Sequence, residues 1–252
     1  MGFDVAGESY DRFMGRYSTQ LSAQLADLAG VAAGQRVLDV GCGPGALTAE
    51  LVERVGAENV AAADPSEPFV AAARERNPGV DVRLAPAEEL PFADGEFDAA
   101  LAQLVVHFMA DAGAGIRELA RVTKPGGVVA ASVWDLAGER APISPFWVAA
   151  RNLEPTVQDE SGLAGARQGH LADLFEEAGL REVEVEEQTA TVEHESFDEW
   201  WRPYTFGVGP AGAYATSLPA DERERLRQEC ERVLPAAPFS IDATAWAVRG
   251  TV

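Results

Sequence analysis

Lysine is almost missing from this chain. Of 20 basic residues against 41 acidic ones, only Lys124 is a lysine, and it precedes Pro125 in a KPGG turn. That excludes a phosphate-binding GxxxxGK[ST] loop and disfavours a Schiff-base lysine, which needs surroundings that strip its water. Cysteine is scarce as well: Cys42 and Cys230 lie far apart and make no CxxC pair or disulfide framework. The three histidines, His107, His170 and His194, are scattered without an HExxH pattern, so no metal site is expected. Positive charge is lacking overall. At a net charge of −21 the chain is a poor match for nucleic acid or for anionic lipid, both of which are tracked by clustered Lys and Arg. Long apolar runs are also lacking: the most apolar stretch, 99–110, is interrupted by Gln103 and His107, so no membrane span is expected. The first residues lack the basic-then-apolar order of a secretory signal, and Ala6 stands where a myristoylation pattern needs Ser or Thr. A reduced, cytoplasmic protein acting on a small molecule is expected, with no nucleic acid or membrane partner; the sequence leaves its oligomeric state open.

What is present is a strand–helix alternation. Residues 18–29 place Leu21, Leu25 and Leu28 on one helical face, and the apolar runs 36–40, 59–64, 80–85, 97–103 and 126–134 read as buried strands. Helices are predicted over 47–55 and up to Arg76, and helices of roughly ten residues fit between the later strands. Beyond Trp134 the rhythm breaks. Residues 181–194 alternate apolar and charged, as an edge strand does, and 239–250 read as a last strand. The economical fold is α/β: a doubly wound, mostly parallel, seven-stranded Rossmann-like sheet in a single domain. A helical cap is expected over 1–35, and an inserted helical cover over 136–180 and 195–235.

The sharpest local feature is VLDVGCGPGALT, 37–48. Gly41, Gly43 and Gly45 fall between a predicted strand and helix, where the chain must turn tightly and backbone can approach a ligand. The loop also fits the dinucleotide pattern G-x-G-x-x-G/A, and Asp64 ends the next strand where a carboxylate accepts from ribose hydroxyls. Up to here NAD and S-adenosylmethionine (SAM) fit about equally. Asp39 separates them. A carboxylate two residues before Gly41 repels a pyrophosphate but suits a ligand carrying an ammonium and a sulfonium.

The D-x-G-x-G-x-G run 39–45 resembles motif I of the class I SAM-dependent methyltransferases. The likeness extends to AADPSE (62–67), LPFADGEFDAAL (90–101), LARVTKPGGVVAASVWD (119–135) and YDRFMGRYS (10–18), in family order and spacing. They are similar to the family's small-molecule branch, the one that includes ubiquinone and menaquinone methylation. The resemblance implies SAM as cofactor and S-adenosylhomocysteine (SAH) as product. It implies that Gly41, Cys42 and Gly43 approach the methionine and ribose portions, and that Asp39 lies beneath the amino-acid end. Asp64 would hold the ribose hydroxyls, with Pro65 and Phe69 near the adenine face. Ala87, through its backbone N–H, and Glu88 beside it would border the adenine edge, and Gln103 would face the methionine group. Tyr10, Arg16 and Tyr17 would close over the cofactor carboxylate. The chain departs from the family in carrying Pro86 where an aspartate often meets the adenine amino group; that contact is either absent or supplied by Glu88.

Methyl transfer from a sulfonium needs chiefly a positioned acceptor in a dry pocket, and a base only where the acceptor must lose a proton. His107, just past the fourth predicted strand, is the candidate base. Trp134, Trp147, Trp200, Trp201 and Tyr204 are candidates for a flat apolar acceptor pocket. In a ligand-free site Asp64 is expected to have no internal partner. Two other functions stay in view: an NAD-dependent oxidoreductase, disfavoured by Asp39 and by the lack of a Tyr-x-x-x-Lys pair, and a non-catalytic SAM-binding protein.

Overall fold

A computed structural model describes residues 14–252. Its first strands, β1 (Val37–Val40) and β2 (Val60–Asp64), are buried at every position and apolar apart from Asp39 and Asp64, as strands covered by helices on both faces require. With β3 (Asp81–Leu84), β4 (Phe97–Gln103), β5 (Thr123–Trp134), β6 (Arg181–His194) and β7 (Phe239–Thr251) they form one sheet in the order β3-β2-β1-β4-β5-β7-β6. The pairs from β3 through β5 are parallel, and β7 runs antiparallel to both β5 and β6. The strand order reverses between β1 and β4, which opens a crevice at their carboxyl ends.

Helices α1 (Arg16–Leu28) and α2 (Ala46–Val55) cover one face, burying Leu25, Leu47 and Leu51 against Val37 and Leu101. The other face takes α4 (Ala112–Val122) and α6 (His170–Glu177), through Ile116, Leu119, Leu171 and Phe175. Between β2 and β3 lies α3 (Glu67–Arg76). The predicted alternation fails at one place: residues 85–96, between β3 and β4, hold no helix. Side chains from α4 brace this segment instead. Arg121 donates to the carbonyls of Leu90 (3.0 Å) and Phe92 (2.9 Å), and Glu118 accepts from Leu90 N–H (2.9 Å).

The cover is helical as expected, with α5 (Ser144–Leu153), α7 (Phe197–Trp201), α8 (Gly209–Ser217) and α9 (Ala220–Val233). Its centre is Phe146, fully buried and stacked on Tyr204 at 4.7 Å between ring centroids. The edge strand β6 is shielded by α1. Gln20 exchanges two hydrogen bonds with the main chain of Thr191 (2.9 and 3.1 Å), and Gln24 does the same at Thr189 (3.0 and 3.3 Å). Arg16 reaches the carbonyl of Glu193. Such pairing satisfies the backbone groups that an open edge would present to another chain. No helix among the described residues is long and apolar enough to cross a membrane.

Candidate functional site

The loop leaving β1 turns on glycines for two different reasons. Gly41 has φ +69°, and a Cβ there would fall 2.3 Å from Cγ2 of Val105, so it is glycine because another side chain occupies the space. Gly43 has φ +52° and would meet nothing within 4 Å, so its missing side chain leaves open space. The loop amides are already engaged. Gly41 and Cys42 donate to the carbonyl of Ala63 (2.7 and 3.1 Å), Gly43 to Oδ2 of Asp64 (2.9 Å) and Gly45 to the carbonyl of Cys42 (2.9 Å). Pro44 has no N–H. A pyrophosphate would find no donor in residues 41–45 without breaking one of these bonds.

Acceptors, by contrast, are in surplus. Asp39 is 1% exposed; its Oδ2 accepts from the Thr48 hydroxyl at 2.6 Å, while Oδ1 is buried without a partner. Burial pushes its carboxyl up to about 7, with Thr48 opposing and the nearby charge of Asp64 adding to the rise. Gln103, at the end of β4, donates to the carbonyl of Ser18 (3.0 Å) and buries Oε1 without a partner. Two orphaned acceptors on the adjoining strands where the sheet order reverses suit an ammonium-bearing ligand. That is the charge expected of the amino-acid end of SAM.

Asp64 differs from expectation. It has internal partners: Oδ2 accepts from Gly43 N–H and Oδ1 from Ser66 N–H at 2.8 Å. Burial still raises its carboxyl, and the two backbone bonds offset part of the rise. Opposite Asp64 in the parallel register stands Leu84, 56% exposed, an apolar surface beside the carboxylate that sequence reasoning missed. Pro65 is exposed next to it and Phe69 is buried on α3.

Four expected contacts are engaged elsewhere. Cys42 packs its side chain with Ala62, Val70, Ala73 and Val82, so it faces the core and not a ligand. Ala87 is not among the four: its methyl is in the core on the α4 side, while the contact expected of it is through its backbone N–H. Glu88 accepts from the N–H groups of Ala110 (2.7 Å) and Asp111 (3.2 Å), tying two loops together rather than leaving that oxygen for an adenine amino group. Arg16 is held by Glu199 (2.6 Å) and by the Glu193 carbonyl, so its guanidinium fork is committed to β6 and its neighbour. Tyr17 is buried against Trp134 and lies 3.3 Å from Nε2 of His194. Tyr10 lies outside the described residues.

At the carboxyl ends of β4 and β5 a small, mostly apolar recess opens, walled by Leu104, Trp134, Leu136, Ile143 and Val208. Leu104 adopts φ +57°, a left-handed conformation that costs a side-chain-bearing residue about 1–2 kcal/mol. The twist sends three successive residues to three places: Gln103 to α1, Leu104 into the recess, Val105 against Gly41. His107 lines the recess as predicted. Burial pushes its imidazole down to about 3, so in the ligand-free site the ring is neutral. Of the aromatic group only Trp134 lines this recess; Trp200, Trp201 and Tyr204 are packed in the cover's core. The recess also holds Glu160, 4% exposed and accepting from Nε1 of Trp147 at 2.8 Å. Nothing in its polar sequence context signals burial. Among the described residues no cluster of His, Cys, Asp and Glu is arranged to hold a metal.

Comparison with known proteins agrees with this geometry. Residues 38–131 match the family described as "Methyltransferase domain". The chain is 39% identical over 132 residues to a malonyl-[acyl-carrier protein] O-methyltransferase of Pseudescherichia vulneris, covering 51% of this chain and 50% of that one. It is 38% identical over 101 residues to a demethylmenaquinone methyltransferase of Beutenbergia cavernae, covering 40% and 41%. The chain thus spans half or less of the length of these curated relatives. A solved SAM-dependent methyltransferase of Thermotoga maritima shares the fold, with a TM-score of 0.57 at 19% identity over 97% of this chain and 95% of the other.

Proposed function

We propose that the protein moves a methyl group from SAM to a small-molecule acceptor, a reading supported by the match of residues 38–131 to the methyltransferase-domain family. The observation that carries the reading is the polarity of the crevice. The glycine-loop amides are spent on protein oxygens, while Asp39 Oδ1 and Gln103 Oε1 are acceptors awaiting a donor. That pairing selects a cationic amino-acid group over a pyrophosphate.

When bound, the cofactor supplies an already activated methyl group on a sulfonium. This chain's residues do the rest by binding and orientation. Asp39 and Gln103 would fix the ammonium, and Asp64 the ribose hydroxyls through its remaining lone pairs. Leu84 and Pro65 would offer an apolar surface to the adenine. The recess beyond Leu104 would hold the acceptor, with residues 136–169 and 195–235 as a cover that keeps water out, α6 being packed on the sheet instead. Two curated relatives are named as a malonyl-[acyl-carrier protein] O-methyltransferase and a demethylmenaquinone methyltransferase; for this chain the apolar recess supports an acceptor with an apolar body. A cytoplasmic setting and indifference to nucleic acid are part of the same proposal, the latter supported by the net charge of −21. Calorimetry with SAM, SAH and NADH tests the reading: SAM and SAH should bind and NADH should not. Tight NADH binding with a silent SAM titration would refute it.

A further inference from the structure

The recess at the carboxyl ends of β4 and β5 contains two polar side chains, His107 and Glu160, in an otherwise uncharged wall. Glu160 has an unusual setting for a carboxyl group. It comes from residues 154–169, between α5 and α6, where charge and turn residues dominate, yet it is almost fully buried. The indole of Trp147 on α5 holds Oε2, and among the described residues Glu160 forms no ion pair. Its charged neighbours are already matched: Arg151 is taken by Asp159 and Glu139. Tyr204 approaches from the cover, and Ser144 and Ser161 line a small pocket on the far side. His107 faces the same space as a neutral ring with Nδ1 unpartnered.

We propose that Glu160 is the acceptor-side base, and that the recess takes a flat, neutral, apolar molecule carrying one acidic hydroxyl, a phenol or enol. The proposal rests on the methyl-transfer reading above. Beyond Glu160 and His107 the side chains of the walls are apolar, so the acceptor they suit has an apolar body and one polar group placed at Glu160. In the balanced step the acceptor oxygen forms a bond to the methyl carbon while the carbon–sulfur bond of the sulfonium donor breaks, its electron pair remaining on sulfur. The hydroxyl proton passes to the Glu160 carboxylate. The products are a methyl ether, a neutral thioether and protonated Glu160, which returns its proton to water. Burial pushes the Glu160 carboxyl up to about 7, with the Trp147 bond opposing and the charge of Asp159 adding, so proton acceptance is matched to neutral pH.

The test uses 2-naphthol as probe with the SAH-loaded protein, followed by calorimetry. The hydroxyl donates to ionised Glu160, so affinity should rise by up to about tenfold from pH 6 to pH 8. Naphthalene, lacking the proton, should show no such rise. Glu160→Gln keeps an oxygen for the Trp147 indole; it should bind SAH within twofold of wild type yet lose the pH-dependent gain for 2-naphthol. Naphthol binding that ignores pH in the wild type, a Gln variant that retains the gain, or tighter binding of cationic 1-naphthylmethylamine would each overturn the assignment. Failure of the wild type to bind SAH at all would instead overturn the methyl-transfer reading, and this assignment with it.

Discussion

Replacing Asp64 by alanine removes a carboxylate that serves the empty fold and the proposed ligand at once, and the two costs are separable. In the ligand-free protein the variant loses bonds from Gly43 N–H (2.9 Å) and Ser66 N–H (2.8 Å). A buried donor left unpaired costs about 1–3 kcal/mol. Part of that is offset, because the raised carboxyl shows that burying this charge is itself unfavourable. A net loss of about 1–2 kcal/mol follows, or about 3–6 °C in Tm for a chain of this size. Ligand binding should suffer more. Two ribose hydroxyls donating to a charged acceptor are worth about 1.5–3 kcal/mol each, so SAM affinity should fall by about 3–5 kcal/mol, or two to three and a half decades in Kd. Asp64→Asn has one carbonyl oxygen for two backbone donors and should fall between wild type and alanine in both measurements. The assays are apo thermal unfolding and SAM or SAH calorimetry on the same preparations. A lowered Tm with SAM affinity within threefold of wild type would mean that Asp64 only organises the loop and the entry to α3, and the ribose assignment would be wrong.

The two loop glycines should fail differently. Gly41→Ala drives a methyl into Val105 and should lower stability by about 2 kcal/mol or more, by overpacking. Gly43→Ala has room and should cost about 1 kcal/mol through its left-handed backbone, with SAM affinity reduced more than stability; equal melting losses in the two variants would contradict this. The Asp39 carboxyl, held up to about 7 in the ligand-free site, should be pulled down by a neighbouring ammonium. Binding then favours the deprotonated form, so SAM affinity should rise with pH from 5.5 toward 7.5, by up to about tenfold per unit below pH 7, and should flatten above it. Calorimetry across that range checks this, and Asp39→Asn should remove the slope.

The strands of the sheet were legible because each is a short apolar run bounded by turn residues, and β6 because its alternation marks a half-covered edge. The segment between β3 and β4 was less so: helical alternation was extended into 85–96, where the local pattern gives no apolar stripe and long-range contacts from Arg121 and Glu118 fix the path. In the candidate site, the placement of Asp39, Asp64 and the glycines at strand ends and in the turn is legible because it depends on chain-local spacing. Arg16 was not. Its partner Glu199 lies 183 residues away, and sequence shows a free charge where the fold shows a committed one. Glu160 left no trace for the opposite reason: it sits in the polar run Gln158-Asp159-Glu160-Ser161, and only the closing of α5 over it supplies the burial.

The contact between α1 and the free edge of β6 is a matching of two pitches. Four helical residues advance about 6.0 Å, and two strand residues about 6.7 Å. Arg16, Gln20 and Gln24 therefore fall nearly in step with Glu193, Thr191 and Thr189. Over those three rungs the two rulers drift apart by about 1.5 Å, which long side chains absorb and shorter ones would not. A helix can thus stand in for a missing strand, but only briefly. Towards the start of β6 the edge is guarded by like charge instead, from Glu182, Glu184 and Glu186. A shift of β6 by one residue relative to α1 would turn every one of the matched main-chain groups away from its amide or guanidinium, so the same rungs that close the edge also fix which residue of the strand sits beside the cap.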